Sequence, residues 1–463
     1  MLEVGRIVGI DEENNIRFRK LVKIYNKHYY ANKLKDRYYD GHITLAEVNL
    51  GIALPDALRG LEIGCDWGAK AVDVLAGRSM FDGFVGKNGE DAGDIGIIAD
   101  NNHLISEYIK ACRDELKYAC IFWTLSLTDD NKAKIRFHSP EGAAAKWSGE
   151  KCRIDYGFAI IDTVYEDSEE KPHIINMYTD DAVWVLTRRP HSTDYDAEEH
   201  RNKMGRPLME PMAWNATNAK PFGRSRLKFS ERELMKSYVR TICNATIGLE
   251  FATSPQKYLL GVTDEQYDML INQKFKQYVG SILAATQNPE TGQNPQFGQL
   301  AQGSIEPHVK MMRIIATQFA ANTGLSTVDI GIINDANPSS SDAILAQTQT
   351  LVTMAEQLNS VNKDSLVTIA RMALAMEKNV TLDELEDADL AVIPHFKNPA
   401  MPSVSVTADA AIKISSARQG FSDTDVFLEM IGFSQADIRR IKAQEQRARG
   451  QMVLEETLNG DNA

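Results

Sequence analysis

Residues 337–358, NPSSSDAILAQTQTLVTMAEQL, constrain the possible folds of this chain more than any other stretch. The segment starts as a turn and continues in a helical pattern with no charged residue from 343 to 355. A single exposed helix of a globular protein normally carries charges along its solvated face. This helix must therefore be covered on more than one side, either by the core of its own chain or by a neighbouring copy.

The helical pattern extends from Ser341 to Glu377. At 1.5 Å per residue such a helix is about 55 Å long, which exceeds most helices of globular proteins. Apolar side chains recur along it at spacings of three and four. Its first half carries two adjacent apolar rows, which include Ile344, Leu345, Leu351, Val352 and Leu358. Periodicity alone does not decide between a core helix and a helix between subunits.

The composition is that of a folded protein with several structural units. The chain has 463 residues, of which 43% are hydrophobic, so two to four units with substantial cores are expected. Its net charge of -13 argues against a module that grips DNA phosphates over a broad surface. The same charge is compatible with DNA passing nearby, because a repelling wall limits persistent contacts.

The five cysteines are scattered and form no C-x-x-C pair, which predicts reduced thiols in an intracellular protein. The first residues carry charges every few positions, so we expect neither a signal peptide nor a membrane anchor there. No apolar run approaches the roughly 20 residues that a membrane span needs. We therefore expect assembly in the cytoplasm and no membrane partner.

Residues 119–190 have a sequence pattern typical of β-strands. Short β-branched and aromatic runs alternate with polar turns, which predicts a half-buried antiparallel sheet of five or more strands. Helical patterns precede this region, and a proline-rich connector predicted to be extended follows it at residues 206–227.

Two predicted helices bracket a small insertion. The first begins near Ser230, where the S-x-x-E pattern with Glu233 predicts a capping box. The second runs from Pro307 to the stop at Gly324. Residues 256–304 between them read as an α/β unit that starts with a strand. The apolar stripes predicted for the two helices are Leu234, Tyr238, Ile242, Ala245 and Leu249, and Val309, Met312, Ile315, Ala316 and Phe319.

No pattern of catalytic chemistry stands out in the sequence. The run GFVGKN at residues 83–88 has the wrong spacing for a phosphate-binding loop and lacks the hydroxyl after Lys87. The run GEDAGDIG at 89–96 lacks the alternating ligands of a calcium loop. No histidine or cysteine spacing suits zinc. We predict no catalytic residue, no cofactor and no metal site.

Six stretches in collinear order carry a resemblance to a known family. They are YYDGHITLAEVNLGIALPDALRGLEIGCDWGAKAVDVLAGRSMFDGF (38–84), PFGRSRL (221–227), FATSPQKYLLGV (251–262), GQLAQGSIEPHVKMMRIIATQFAANTGLSTVDIGIINDANPSSSDAI (298–344), FKNPAMPSVSVTADAAIKI (396–414) and MIGFSQADIRRIKAQEQRARG (430–450). Together they resemble the portal proteins of tailed bacteriophages, in the branch similar to portals of long-tailed siphophages. The likeness spans most of the chain.

The resemblance implies an α+β portal fold with a wing, a two-helix stem, an α/β clip and a helical crown. Carried over, residues 1–228 are the wing and 229–251 the first stem helix. Residues 252–305 are the clip and 306–324 the second stem helix. The channel (tunnel) loop lies within 325–340, the long wing helix spans 341–378, and 379–463 form the wing end and crown.

The resemblance also implies a ring, usually of twelve copies, at one capsid vertex of the virion, assembled in the host cytoplasm. Double-stranded DNA passes through its channel without sequence recognition during packaging and ejection. The implied protein partners are the terminase, a head–tail adaptor, and the scaffolding and major capsid proteins. On this basis we expect neighbouring subunits and the wing to cover the uncharged helix, with inter-subunit packing at Ile344, Leu345, Leu351, Val352 and Leu358.

The expected channel loop is small and polar, and consists of Asn334, Asp335, Ala336, Asn337, Pro338, Ser339 and Ser340. Pro338 stiffens it, and Asp335 supplies one carboxylate per copy that repels phosphates. Two other functional classes stay open. One is another ring-forming virion protein such as a head–tail adaptor, which is usually much shorter. The other is an enzyme of the packaging machine, a nuclease or an ATPase component.

Overall fold

The computed structural model describes residues 1–43, 63–86, 93–166, 168–253, 257–260, 292, 294, 296–299, 304–331, 341–400, 404–418 and 420–460. The fold is mixed α+β, as predicted. The chain divides into two compact units. The first comprises Met1–His42, Cys65–Glu233 and Phe319–Ala463, and the second comprises Ile43–Gly64 and Leu234–Gln318.

The strands cluster before residue 214. In chain order they are β1 (Ile7–Val8), β2 (Phe81–Val85), β3 (Cys120–Leu127), β4 (Ala133–His138), β5 (Ala143–Ser148), β6 (Arg153–Glu166), β7 (Glu169–Tyr178), β8 (Ala182–Arg188), β9 (Tyr195–Arg201), β10 (Met209–Ala213), β11 (Lys257–Leu260), β12 (Gln296–Gln299) and β13 (Ile393–Phe396).

The helices dominate the remainder of the chain. They are α1 (Glu12–Tyr39), α2 (Trp67–Ala76), α3 (Asp94–Asn101), α4 (Leu104–Tyr118), α5 (Phe229–Thr253), α6 (Glu306–Thr323), α7 (Ser341–Lys378), α8 (Asp387–Leu390), α9 (Val404–Ala417), α10 (Asp425–Ile431) and α11 (Gln435–Gly460).

The predicted antiparallel β region is confirmed, but it forms two sheets rather than one and its strands continue beyond residue 190 to Ala213. A six-stranded sheet has the order β1-β9-β8-β7-β6-β5 and is antiparallel except where β1 pairs with β9. A second sheet has the order β10-β3-β4. The proline-rich segment predicted as a connector is therefore partly built into this sheet, because β10 within it pairs with β3. Pro211 is tolerated there because β10 is an edge strand.

Helix α1 lies against the six-stranded sheet of the first unit. Its buried Phe18 and Tyr25 rings lie 5.6 and 5.7 Å from the ring of Phe158 on β6, centroid to centroid. Leu21 is buried in the same core. The Asp11 carboxylate caps the helix by accepting a hydrogen bond from the amide of Asn14.

The second unit contains most of α5 and α6, with the antiparallel pair β11–β12. Both bracketing helices are present, and so is the strand that was predicted to open the insertion. Residues 261–291, which follow this strand, lie outside the described residues. The assignment of these elements to stem and clip stays a prediction.

Two local predictions for the bracketing helices are wrong in detail. Helix α5 begins at Phe229, so Ser230 lies inside its first turn, and the Ser230 hydroxyl donates to Glu231 rather than forming the capping box. On α5 the predicted Ala245 is buried, whereas the other buried apolar residues are Met235, Val239 and Cys243, each one residue on from a member of the predicted stripe. On α6 the predicted Ile315, Ala316 and Phe319 are buried, whereas Val309 is exposed.

Candidate functional site

The long helix α7 is present over the predicted range and is packed against several elements of its own unit. It contacts strands β3, β4, β10 and β13 and helices α2, α3 and α8. Its Ser365 hydroxyl donates to the Pro211 carbonyl of β10 at 2.7 Å. The Ala133 amide at the start of β4 donates to the Glu377 carboxylate at 2.8 Å. Strands and helices of the first unit thus cover one side of the helix.

Three residues assigned to inter-subunit packing are already covered within one chain. Leu351, Val352 and Leu358 are 1%, 5% and 0% exposed. Their burial therefore needs no second copy, because the first unit supplies the apolar surroundings. The side chains of Ile344 and Leu345 lie outside the described residues. Contact between copies along α7 stays a prediction, and it must involve other positions than these three.

The exposed side of α7 is neutral where the uncharged stretch is described. Gln349, Thr353 and Gln357 follow one another at intervals of four and are exposed, and Ser360 continues the row. Next to Ser360, Val361 is 46% exposed. This row, which we term the neutral row, is one exposed part of α7, and the exposed Glu356 lies beside it, between Thr353 and Gln357 in the sequence.

A directional chain of hydrogen bonds lies buried between α4 and α7. The Asn362 amide donates to the Tyr108 hydroxyl at 3.0 Å. The hydroxyls of Tyr108 and Ser79 are 2.8 Å apart, and the Ser79 hydroxyl donates to the side-chain oxygen Oδ1 of Asn359 at 2.6 Å. Because the single hydroxyl proton of Ser79 is used in the hydrogen bond to Asn359, Tyr108 must be the donor in the hydrogen bond between the two hydroxyls. These polar groups fix the register of α7 against α4.

The fully buried carboxyl group of Glu115 lies at one end of this series of hydrogen bonds. It accepts one hydrogen bond from the Asn362 amide at 2.9 Å, while its Oε1 and the Asn362 Oδ1 have no partner among the described residues. Burial raises the pKa of Glu115 to about 8, although the Asn362 hydrogen bond lowers it. The group is therefore protonated at neutral pH, which turns one oxygen into a donor.

The burial of Glu115 could have been predicted from its position in the sequence. Glu115 follows Tyr108, Ala111 and Cys112 on the buried stripe of α4, at spacings of seven, four and three. An acidic residue on the apolar face of an amphipathic helix indicates a buried polar group. Its partners on α7 are more than 240 residues away and could not be identified from sequence.

The motif PFGRSRL has a structural role that explains its residues. Gly223 has φ +70°, and a Cβ there would lie within 2.8 Å of the Ala119 carbonyl oxygen and closer still to that of Trp214. Buried Arg226 donates to the carbonyls of Ala71 on α2 and Thr323, the last residue of α6. A cation at a helix C-terminus is favourable, so the motif anchors the end of α6.

Beyond α6 the chain enters the segment assigned to the channel. Gly324 ends the helix at φ +70°, and Ser326 and Asp329 close a turn through hydrogen bonds between their side chains and backbone amides. All the predicted channel-loop residues, Asn334, Asp335, Ala336, Asn337, Pro338, Ser339 and Ser340, lie outside the described residues.

Three further features concern the part of the chain that the structure describes. There, no group of three or more histidine, cysteine or acidic residues is placed to hold a metal ion. Within the same residues, no helix is both long and apolar enough to cross a membrane. The cysteines are free, and Cys152 is exposed while the others are buried.

Comparison with solved structures gives low-identity likenesses to chains in the necks of GTA particles. A chain in the neck of a native GTA particle, computed with C12 symmetry, is 12% identical with a TM-score of 0.43, covering 79% of this chain and 89% of that chain. A chain in the neck of an empty GTA particle, computed with C6 symmetry, is 12% identical with a TM-score of 0.46, covering 82% and 96%. No family model and no curated protein matches the sequence. Because both TM-scores are below 0.5, these likenesses carry no functional conclusion for this chain.

Proposed function

We propose that this chain is a portal protein, whose copies close into a ring at one capsid vertex and form a channel for DNA packaging and ejection. The observation that carries the proposal is the collinear resemblance of six stretches to portal proteins. Helices α5 and α6 on either side of the β11–β12 insertion, followed by α7, agree with that order of elements. The ring also serves as a platform for the terminase and for the head–tail connection.

In this proposal the chain acts by geometry and contains no catalytic step. Residues 229–251 and 306–324 form the stem, 252–305 the clip, and residues 334–340 face the channel. A small polar loop with one carboxylate per copy forms few persistent phosphate contacts, so DNA can slide past it. The exposed charged helix α11 in the crown region is available to other virion proteins.

Native mass spectrometry of the purified chain, combined with top-view electron micrographs, tests ring formation. We expect a closed ring of about twelve copies with a central hole, the family's usual number. Single chains at all concentrations and salt conditions would contradict the proposal. A ring that forms but does not support DNA entry in a packaging reaction with terminase would instead favour the second candidate, a head–tail adaptor.

A substitution in the channel loop tests the role of Asp335. Asp335→Lys replaces a repelling carboxylate by a cation in every copy, so DNA should be retained and the packaging rate should fall. Asp335→Asn, which removes the charge without adding an attractive one, is the matched control and should have a smaller effect. Packaging rates equal to those of the unmodified ring in both variants would remove this role from Asp335.

A further inference from the structure

A cavity of about 700 Å³ lies in the first unit, away from α7. Its walls come from the middle of α1, the beginnings of β3 and β5, and residues 219–228 with the first turn of α5. The volume is in the range of sites that hold a small molecule. None of the functional assignments above uses this cavity.

The charge of the cavity is opposite to that of the whole chain. Six cationic residues line it, namely Lys27, Lys35, Lys220, Arg224, Lys228 and Arg232. Among the described residues that line it, none is aspartate or glutamate. The chain as a whole has 64 acidic and 51 basic residues, so such a segregation of positive charge is unusual for its composition. An anion would relieve the mutual repulsion of these side chains.

Lys35 is the cation with the clearest need for an anion. Its ammonium group donates to the Tyr118 carbonyl at 2.8 Å and to Asn32 Oδ1 at 3.3 Å, which are both neutral acceptors. Burial lowers the pKa of Lys35 to about 8, and the nearby charge of Arg232 lowers it further, while Cys120 acts in the opposite direction.

Three carboxylates beside this region are engaged with other cations, and one of them, Glu231, lies 3.9 Å from the lining cation Lys228. Asp36 accepts from Lys117 at 2.8 Å and from the Tyr118 hydroxyl at 3.0 Å. Glu141 pairs with Lys33 at 2.9 Å. The ion pairs beside the cavity thus leave Lys35 and Arg232 without a carboxylate between them.

An aromatic wall stands beside the cations. Phe222 is half-buried and is held edge-on by Phe122 and Trp147, with ring centroids 5.5 and 6.0 Å away. Tyr25 and Phe122 also line the cavity. Rings fixed in this way offer a flat apolar surface on which a nucleobase can stack.

We propose that this cavity binds a nucleoside phosphate, with Lys35 and Arg232 at the phosphate and Phe222 beside the base. A phosphate fits better than a single carboxylate because it carries close to two negative charges and can bridge two cations. The guanidinium of Arg232 matches its geometry. The nucleoside phosphate is either a free nucleotide or an unpaired nucleotide of a nucleic acid. This site is independent of ring formation.

Isothermal titration calorimetry of the full chain at pH 7.5 tests the proposal with four probes. They are ATP without metal, inorganic triphosphate, adenosine and a hexaglutamate peptide. We expect ATP to bind, triphosphate to bind more weakly and adenosine not to bind measurably. No binding of any phosphate compound, or hexaglutamate binding as tightly as ATP, would overturn the proposal. A short single-stranded oligonucleotide that displaces ATP identifies nucleic acid as the source, and a failure to displace it identifies the free nucleotide.

Matched variants locate the binding. Lys35→Met and Arg232→Met should each weaken ATP binding at least tenfold. Lys20→Met removes an exposed lysine from the same helix as Lys35 and should leave it unchanged. Thermal melting checks that each variant is folded. An equal effect of Lys20→Met and Lys35→Met would show a general charge effect and would contradict the site.

The pH dependence adds a readout that a structural role of Lys35 would not change. Between pH 7.5 and 9.5 Lys35 loses its proton, so ATP affinity should fall. Lys35→Arg stays charged and should keep its affinity through that range. Two facing groups have pKa values outside this range: burial lowers the pKa of His28, with smaller effects of Lys27 and Lys35, and burial raises that of the Cys120 thiol to about 12. A parallel decline in both proteins would contradict the role of Lys35.

Discussion

Glu115 is a residue whose protonation depends on the fold. Its carboxyl group has an ordinary pKa of 4.5 and a folded pKa of about 8. Between these values the unfolded chain has released the proton while the folded chain retains it. The free energy of unfolding therefore falls as pH rises through this window, by at most about 1.4 kcal/mol per pH unit from this group.

Glu115→Gln should remove this pH dependence. The glutamine is neutral at every pH and can offer an N–H donor beside the Asn362 Oδ1 acceptor. Urea unfolding at pH 5 and pH 8 should show that the variant gains stability relative to the original chain as pH rises. The control is Glu107→Gln on the same helix, where the carboxylate pairs with Lys110 at 2.7 Å near the surface. Identical pH profiles for the two variants would mean that Glu115 is not a neutral acid in the fold.

Helix α7 is buried at Leu358 by other residues of the same subunit. Truncating this fully buried side chain with Leu358→Ala removes apolar contacts and leaves a cavity, which costs about 2–5 kcal/mol. Val361→Ala, one turn on and 46% exposed, should change stability by less than about 0.5 kcal/mol. Urea unfolding of the dissociated chain measures both. If Leu358→Ala cost no more than the control, Leu358 would not be part of the core of its own subunit.

The helices and strands differ in how much of their structure could be predicted from the sequence. Helix α7, the bracketing helices and the β region were predicted because each has a strong local period. The buried side of each helix was less predictable: on α5 Ala245 is buried as predicted, but Met235, Val239 and Cys243 are buried in place of their predicted neighbours. On α7, Leu351, Val352 and Leu358 pack within the chain. A period gives the apolar side of a helix but not the identity of the surface that covers it. The cavity likewise unites Lys35 and Arg232, which are almost 200 residues apart and have no common local pattern.

For the whole molecule, the neutral row of α7 changes where contact between copies is expected. Since Leu351, Val352 and Leu358 are used inside the subunit, a neighbouring copy that packs on α7 must meet the exposed side, with Thr353 and Gln357 near its centre. In a closed ring every copy repeats the same contact, so one substitution alters all the interfaces at once. The row itself is neutral, whereas the exposed Glu356 beside it would need a partner in such a contact, because a charge buried without a partner is costly.

The double variant Thr353→Glu with Gln357→Glu should therefore prevent ring formation while the subunit stays folded. Two carboxylates four residues apart destabilise an exposed helix by only about 0.2–0.5 kcal/mol. Desolvated at an interface without a partner, each costs several kcal/mol. The size-matched control is Thr353→Gln, which adds no charge and should still assemble. Native mass spectrometry and circular dichroism measure assembly and folding separately. Rings of unchanged size from the double variant would mean that this side of α7 faces solvent in the assembly, and the ring would then have to be held by other surfaces.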